Sequence, residues 1–260
     1  MDLGIRGKKA LVTGGSRGLG RAVARELARE GARVVLASRN EEAAERTASD
    51  IARETGSEVR GWRCDVTQAS EIRKLVDRTS DVLGGIDLLL CNAGGPKSGT
   101  FDTLNDDDWQ KAFDTNLLSV VRLIRETLPH MDTGGRILAI ASSSVKQPIP
   151  GLILSNAMRA GVAGLMKTLS EELGSRGILV NTLCPGRIAT DRLQELDRNK
   201  SEKEGVPVEE IKRASLADIP LGRYGEPEEF ARVAAFLLSG ANTYITGSAL
   251  MVDGGMVKAL

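Results

Sequence analysis

Seven short apolar runs punctuate this chain, at 10–13, 33–37, 59–64, 87–92, 136–142, 178–183 and 249–252. They are nearly continuous in apolar residues rather than alternating, which is the pattern of strands covered on both faces. Between them lie stretches of helical periodicity. Leu19, Val23 and Leu27 form one stripe after the first run, closed by Gly31, and helices are expected over 41–54, 68–83, 106–130, 154–173 and 226–238. Parallel strands need a crossover, and a helical crossover lays its apolar face on the sheet. The expected fold is therefore α/β, a single-domain Rossmann-type doubly wound parallel sheet of about seven strands over 1–260. Only 191–225 breaks the rhythm. It is polar and charged (DRNKSEKEG) and then meets Pro207, Pro220 and Pro227. It reads either as a substrate lid or as a pair of solvated helices.

Composition removes several classes of function. Lys plus Arg and Asp plus Glu both number 35, leaving no net charge, and both a nucleic-acid and a membrane surface normally need a basic excess. The first residues carry no apolar signal core, and no membrane-length apolar run follows, so a cytoplasmic protein is expected. Cys64, Cys91 and Cys184 are odd in number and far apart, which suits buried, reduced thiols better than a disulfide framework. With His130 as the only histidine, no metal site is expected.

The first apolar run leads into TGGSRGLG, Thr13 to Gly20, and then into the Leu19/Val23/Leu27 helix. Glycines at 14, 18 and 20 allow a tight turn and close backbone approach, and the helix N-terminus beyond them faces an anion. This segment resembles the cofactor loop of the short-chain dehydrogenase/reductase family, and later segments follow that family's order along essentially the whole chain. They are CDVT (Asp65, Val66), CNAGG (Asn92, Ala93, Gly94), DTNL (Asn116), CPGRIAT (Cys184 to Thr190) and ITGSALMVDGG (Ile245 to Gly255). The subgroup it resembles is that of the 3-oxoacyl-acyl-carrier-protein reductases. The resemblance implies an oxidoreductase binding its dinucleotide through Gly14, Ser16, Arg17, Gly18, Leu19 and Gly20. It places Asp65 and Val66 at the adenine, Asn92, Ala93 and Gly94 along the cleft, and Pro185, Gly186, Ile188 and Thr190 beside the nicotinamide. It also implies a homotetramer packed through the helices near 106–130 and 154–173.

Charge separates the two dinucleotides. An acid at the end of the second strand suits the free ribose of NAD. Ser38 stands there, followed by Arg39, and Arg17 lies in the glycine loop. Two guanidinium groups suit a 2′-phosphate, so NADP(H) is the expected cofactor; the alternative is that both are ordinary surface charges.

The proton-transfer machinery departs from the family pattern. The resemblance aligns SNAMRAG, Ser155 to Gly161, with the segment that usually reads Y-x-A-S-K-A-G, the register being set by Ala157, Ala160 and Gly161. Ser155 then stands in place of the tyrosine that protonates the nascent alkoxide, and Arg159 in place of the lysine that tunes it and holds the nicotinamide ribose. The family's asparagine matches Asn116. Its substrate-binding serine matches Ser142 by spacing or Ser144 by local pattern. A serine hydroxyl is a poor acid, and an arginine does not give up its proton. Lys146, on the loop after the serine run, is either a replacement acid whose pKa burial would lower or a solvated loop lysine. The expected function is hydride transfer between NADP(H) and a small-molecule carbonyl or alcohol. The alternatives are a non-catalytic nucleotide-binding protein, such as a redox sensor or regulator, and a lyase or isomerase reusing the pocket.

Overall fold

The computed structural model describes residues 2–259. Its strands are β1 (Lys9–Thr13), β2 (Arg33–Ser38), β3 (Val59–Arg63), β4 (Leu88–Cys91), β5 (Arg136–Ile140), β6 (Leu179–Pro185) and β7 (Ala249–Val252). All pair in parallel in one sheet of order β3-β2-β1-β4-β5-β6-β7. The expected α/β doubly wound fold is the one observed. The chain builds outward from β1 to β3, then crosses back to lay β4 against the other side of β1. That reversal opens a crevice at the carboxyl ends of β1 and β4, where open α/β sheets bind ligands.

Both faces of the sheet are covered, which explains the unbroken apolar runs. Along β1, Val12 turns toward a core with Val23 and Leu27 of α1 (Gly18–Arg29) and Phe230 of α9 (Pro227–Leu237). Its neighbour Leu11 faces the opposite core, built with Ile72 and Val76 of α3 (Ala69–Leu83) and Leu123 of the central helical segment. The second crossover, α2 (Glu41–Thr55), starts where Asn40 accepts the backbone N–H of Ala43 and stops at left-handed Gly56. These are the cap signals expected of its sequence.

One stretch differs from the sequence-based expectation. The helix expected over 106–130 is not continuous: α4 (Asp106–Phe113) passes through a π-helical turn (Asp114–Leu118) into α5 (Ser119–Thr127) and ends in a short 3-10 turn (Leu128–His130). Apolar periodicity runs through the extra residue of the π turn almost unchanged, which is why it does not register in the pattern. Residues 191–225, expected either as a lid or as a pair of solvated helices, contain a helix pair. Helix α7 (Asp191–Glu204) begins where Thr190 caps the N–H of Leu193 and ends at left-handed Gly205; α8 (Val208–Ala217) starts after Pro207. Its weak amphipathicity hides it from a periodicity argument, because only one edge of the pair meets the body. Helix α6 (Ile153–Leu173) covers the sheet beside α5. The three cysteines are free and buried. No helix among the described residues is long and apolar enough to cross a membrane.

Close approach of α2 to β3 depends on one glycine. A Cβ at Gly61 would lie 2.1 Å from the carbonyl oxygen of Ala44. Backbone, not a flexible side-chain end, is the obstacle. Gly61→Ala is expected to destabilise the domain by about 3 kcal/mol, as overpacking does, read as a lowered urea midpoint at unchanged slope.

Candidate active site and cofactor cleft

The crevice is framed by a clamp between the loops that leave β1 and β4. Thr13 Oγ1 donates to the carbonyl of Asn92 (2.9 Å) and accepts the Asn92 N–H (3.0 Å), while Asn92 Nδ2 donates to the carbonyl of Gly14 (3.2 Å). The glycines answer to this clamp. Gly14 has φ +60°, and a Cβ there would sit 2.7 Å from Asn92 Nδ2; a Cβ on Gly20 would meet the Gly14 oxygen at 2.2 Å. Arg17, the residue before α1, gives the helix no side-chain cap. The first-turn amides of α1, from Gly18, Leu19 and Gly20, thus lack a side-chain acceptor at the mouth of the crevice. A pyrophosphate fits that need. Ser16 is held from outside by Thr47 Oγ1, which donates to its carbonyl at 3.1 Å.

At the β2 end of the crevice, Ser38 Oγ donates to the carbonyl of Asn40 at 2.8 Å. Arg17 and Arg39 are exposed. Asp65 is half-buried, with Oδ1 accepting from the Thr67 N–H (3.0 Å) and hydroxyl (2.9 Å), and Val66 packs against the core beside it. The expected nucleotide residues therefore lie along one cleft, from the ends of β2 and β3 to the ends of β4 and β6.

Beyond β4 the cleft becomes buried and polar. Asn116 sits inside the π turn, 1% exposed; its Nδ2 donates to the Gly94 carbonyl at 2.7 Å and its Oδ1 has no partner. π turns of this kind recur at functional sites because the extra residue re-aims a side chain. Ser142 Oγ accepts the N–H of Ser144 at 3.1 Å and so caps the short turn Ser143–Val145. Ser144 is buried and its hydroxyl has no partner. Lys146 is exposed.

On α6, Ser155 is half-buried, and one turn later Arg159 is 6% exposed, its Nη1 donating to the Ile140 carbonyl at 3.0 Å. Burial pulls the guanidinium down to about 10, partly opposed by Cys184, so it stays charged at neutral pH. The Cys184 thiol is pushed up to about 11 by burial, against the pull of the Ser142 N–H and the charges of Arg159 and Lys146. Arg159, Ser142 and Cys184 thus share the junction where β5 and β6 end. The chain's two tyrosines are engaged differently: Tyr244 is surface-exposed, and Tyr224 belongs to the roof.

That roof is the helix pair after β6. Arg187 Nη1 pairs with Asp197 Oδ1 at 2.9 Å, and the Tyr224 hydroxyl donates to Asp197 Oδ2 at 3.0 Å. Asp197 itself is 5% exposed. Arg192 reaches across the cleft: its Nη2 donates to the Pro96 carbonyl at 2.7 Å, and its guanidinium lies 3.2–3.5 Å from where a Gly95 Cβ would be. The side wall closes where the Gly99 N–H meets the Gly151 carbonyl at 2.7 Å. Thr47, Arg187, Arg192, Asp197 and Tyr224 are absent from the sequence-based site. Each acts through a partner remote in sequence, and an aspartate in a charged helix carries no local mark of burial.

Residues 14–257 match the family described as enoyl-(acyl carrier protein) reductase. The chain is 36% identical to the 3-oxoacyl-(acyl-carrier-protein) reductase of Vibrio cholerae over 256 residues, covering 98% of this chain and 99% of that protein. Among solved structures it is similar to L-sorbose reductase from Gluconobacter frateurii complexed with NADPH and L-sorbose, with TM-score 0.94, 33% identity and full coverage of both chains. It is also similar to a variant of actinorhodin polyketide ketoreductase with NADPH, with TM-score 0.91 and 36% identity over 96% of this chain and 97% of that one.

The roof network has a titration signature. Burial, then the adjacent Asp197 carboxylate, hold the Tyr224 phenol above its ordinary range, because a second negative charge beside a phenolate is unfavourable. In a Tyr244→Phe background, Asp197→Asn is expected to move tyrosinate formation to lower pH, followed by ultraviolet difference titration. An unchanged midpoint would separate Tyr224 from Asp197.

Proposed function

The chain belongs to the short-chain dehydrogenase/reductase family, and from that premise we propose that it transfers a hydride between NADP(H) and a carbonyl or alcohol substrate. The observation that carries this reading is the uncapped N-terminus of α1, set beside the Thr13–Asn92–Gly14 clamp at the point where the sheet reverses. Gly14, Ser16, Gly18, Leu19 and Gly20 would hold the pyrophosphate, and Arg17 and Arg39 the 2′-phosphate. Asp65 and Val66 would flank the adenine. Asn92, Ala93 and Gly94 would line the middle of the cleft, and Pro185, Gly186, Ile188 and Thr190 would face the nicotinamide. Arg159 would donate to the ribose hydroxyls. When bound, NADPH supplies a hydride to an electrophilic carbon. The NADPH complexes of the sorbose reductase and the polyketide ketoreductase support the choice of cofactor.

The proposed catalytic end lacks the family's tyrosine and lysine, with Ser155 and Arg159 in their places. Ser142 or Ser144 would donate to the substrate oxygen, and Asn116 would hold the helix turn to Gly94. A positioned general acid contributes about 10² to 10⁴ in rate, whereas positioning two reactants contributes about 7–11 kcal/mol. Hydride transfer can therefore outlast loss of the tyrosine. Around Ser155, a hydroxyl and a guanidinium hold the places of the phenol and the ammonium that the family uses for proton transfer. That observation favours the second reading, a nucleotide-binding protein without turnover. The exposed small residues Ala157, Ala160, Gly161 and Gly164 along α6 would allow the close helix approach of a homotetramer.

NADPH is expected to bind more tightly than NADH in calorimetric titration, and Arg39→Asp to reverse the preference, since a carboxylate repels the 2′-phosphate and accepts from a free ribose. Equal affinity in the wild type would remove the phosphate-binding role. Ser155→Ala is expected to lower turnover by less than about tenfold, because water can replace a weakly acidic hydroxyl. Steady-state kinetics on any ketone the protein reduces would decide whether Ser155 carries the proton.

A further inference from the structure

Helix α7 meets both walls of the cofactor cleft within three residues. Its cap residue, Thr190, lies against the glycine loop: a Cβ on Gly18 would be 3.8 Å from the Thr190 side chain. Two residues on, Arg192 lies against the other wall. Its Nη2 donates to the Pro96 carbonyl at 2.7 Å, and its guanidinium sits 3.2–3.5 Å from where a Gly95 Cβ would be. Both flanks of this stretch are anchored. Before it, the Ala189 N–H donates to the Gly225 carbonyl at 2.8 Å; after it, Asp197 holds Arg187 and Tyr224. Thr190–Arg192 therefore spans the opening between the loops that leave β1 and β4. A dinucleotide reaching from Arg39 at the end of β2 to Ile188 beyond β6 passes between those loops, beneath that stretch.

The pyrophosphate of a dinucleotide is doubly charged, yet Gly14, Ser16, Gly18, Leu19 and Gly20 offer it only amides and a hydroxyl. Amides at a helix N-terminus hold an anion, but a guanidinium is a stronger partner for a phosphate oxygen. In the reading above, Arg17 and Arg39 are occupied by the 2′-phosphate. Arg192 is the cation on the opposite wall. Its Nη1 is engaged by Glu195 at 2.9 Å, three residues along the helix and exposed. Surface pairs of this kind are weak and yield to a better anion. Resting on the NADP(H) reading, we propose that Arg192 is a cofactor-binding residue carried by the roof. Its Nη1 exchanges Glu195 for a pyrophosphate oxygen, across the cleft from the α1 amides, while Nη2 stays on the Pro96 carbonyl. One side chain thus binds the cofactor and straps the cleft over it, and release of the cofactor requires the bond to Pro96 to break.

Three ligands test the assignment. NADPH is the whole cofactor, 2′-phospho-ADP-ribose keeps the pyrophosphate without the nicotinamide, and adenosine 2′-phosphate lacks the pyrophosphate. Failure of the wild type to bind NADPH overturns the cofactor reading itself. With binding established by calorimetry, Arg192→Ala is expected to weaken NADPH and 2′-phospho-ADP-ribose alike, by about tenfold, the effect of one hydrogen bond to a charged group. Adenosine 2′-phosphate, measured by displacement of NADPH fluorescence, is expected to bind unchanged, which also shows that the cleft of the variant is intact. Arg192→Lys should retain part of the affinity. In stopped flow, NADPH should leave Arg192→Ala about tenfold faster than the wild type, because the strap acts on the bound state. Unchanged affinity for NADPH overturns the proposal. Equal weakening of all three ligands makes Arg192 a prop of the fold, and weakening of NADPH alone places it at the nicotinamide; either result overturns the pyrophosphate contact. Weaker binding with an unchanged release rate overturns the strap.

Discussion

The hydroxyl of Thr13 is the hinge of this architecture. A parallel sheet that reverses its winding leaves the loops after β1 and β4 side by side with nothing covalent between them, and both must turn away sharply. Thr13 Oγ1 both donates to and accepts from the backbone of Asn92, and the Asn92 side chain returns to Gly14. Three bonds among three residues thereby fix where β1 stops, where α1 begins and how the β4 loop leaves the sheet. The requirement for glycine at 14 and 20 is a consequence, since any Cβ would strike the clamp or the turn it holds. The crevice owes its shape to a partly buried polar contact at the edge of the apolar core.

How much of this can be read from the sequence follows from the range of the interactions. The strands are legible because burial on both faces makes them apolar without interruption, and the glycine turn because its conformational demands are local. The π turn around Asn116 is not legible. One inserted residue re-aims a side chain without disturbing the periodicity of Val120, Leu123 and Ile124 that marks the helix. The roof is illegible for a different reason: Asp197 is one acid among many in DRNKSEKE until Arg187 and Tyr224 arrive from ten and twenty-seven residues away. The order of the expected nucleotide residues along the strand ends follows from the motifs; which side chains are exposed and which enclosed, as Lys146 is outside and Arg159 inside, does not.

Three arginines near the cleft show how burial assigns different work to the same group. Arg39 is exposed, and water and salt screen its charge. Arg192 is partly covered and divides its donors between Glu195 and the Pro96 carbonyl, joining roof to wall. Arg159 is enclosed, and its field falls off slowly in surroundings less polarisable than water. A charge placed there is unfavourable in the empty fold and favourable once an anion lies beside it.

The helix pair after β6 is tied back to the sheet by one long side chain. Arg192, in the first turn of α7, donates to the Pro96 carbonyl on the loop that leaves β4, so two segments ninety-six residues apart meet over the ends of the strands. Gly95 permits that contact, since the Arg192 guanidinium lies 3.2–3.5 Å from where its Cβ would be. A larger residue there would press on the guanidinium and strain the only tie that the loop after β4 makes to this arginine.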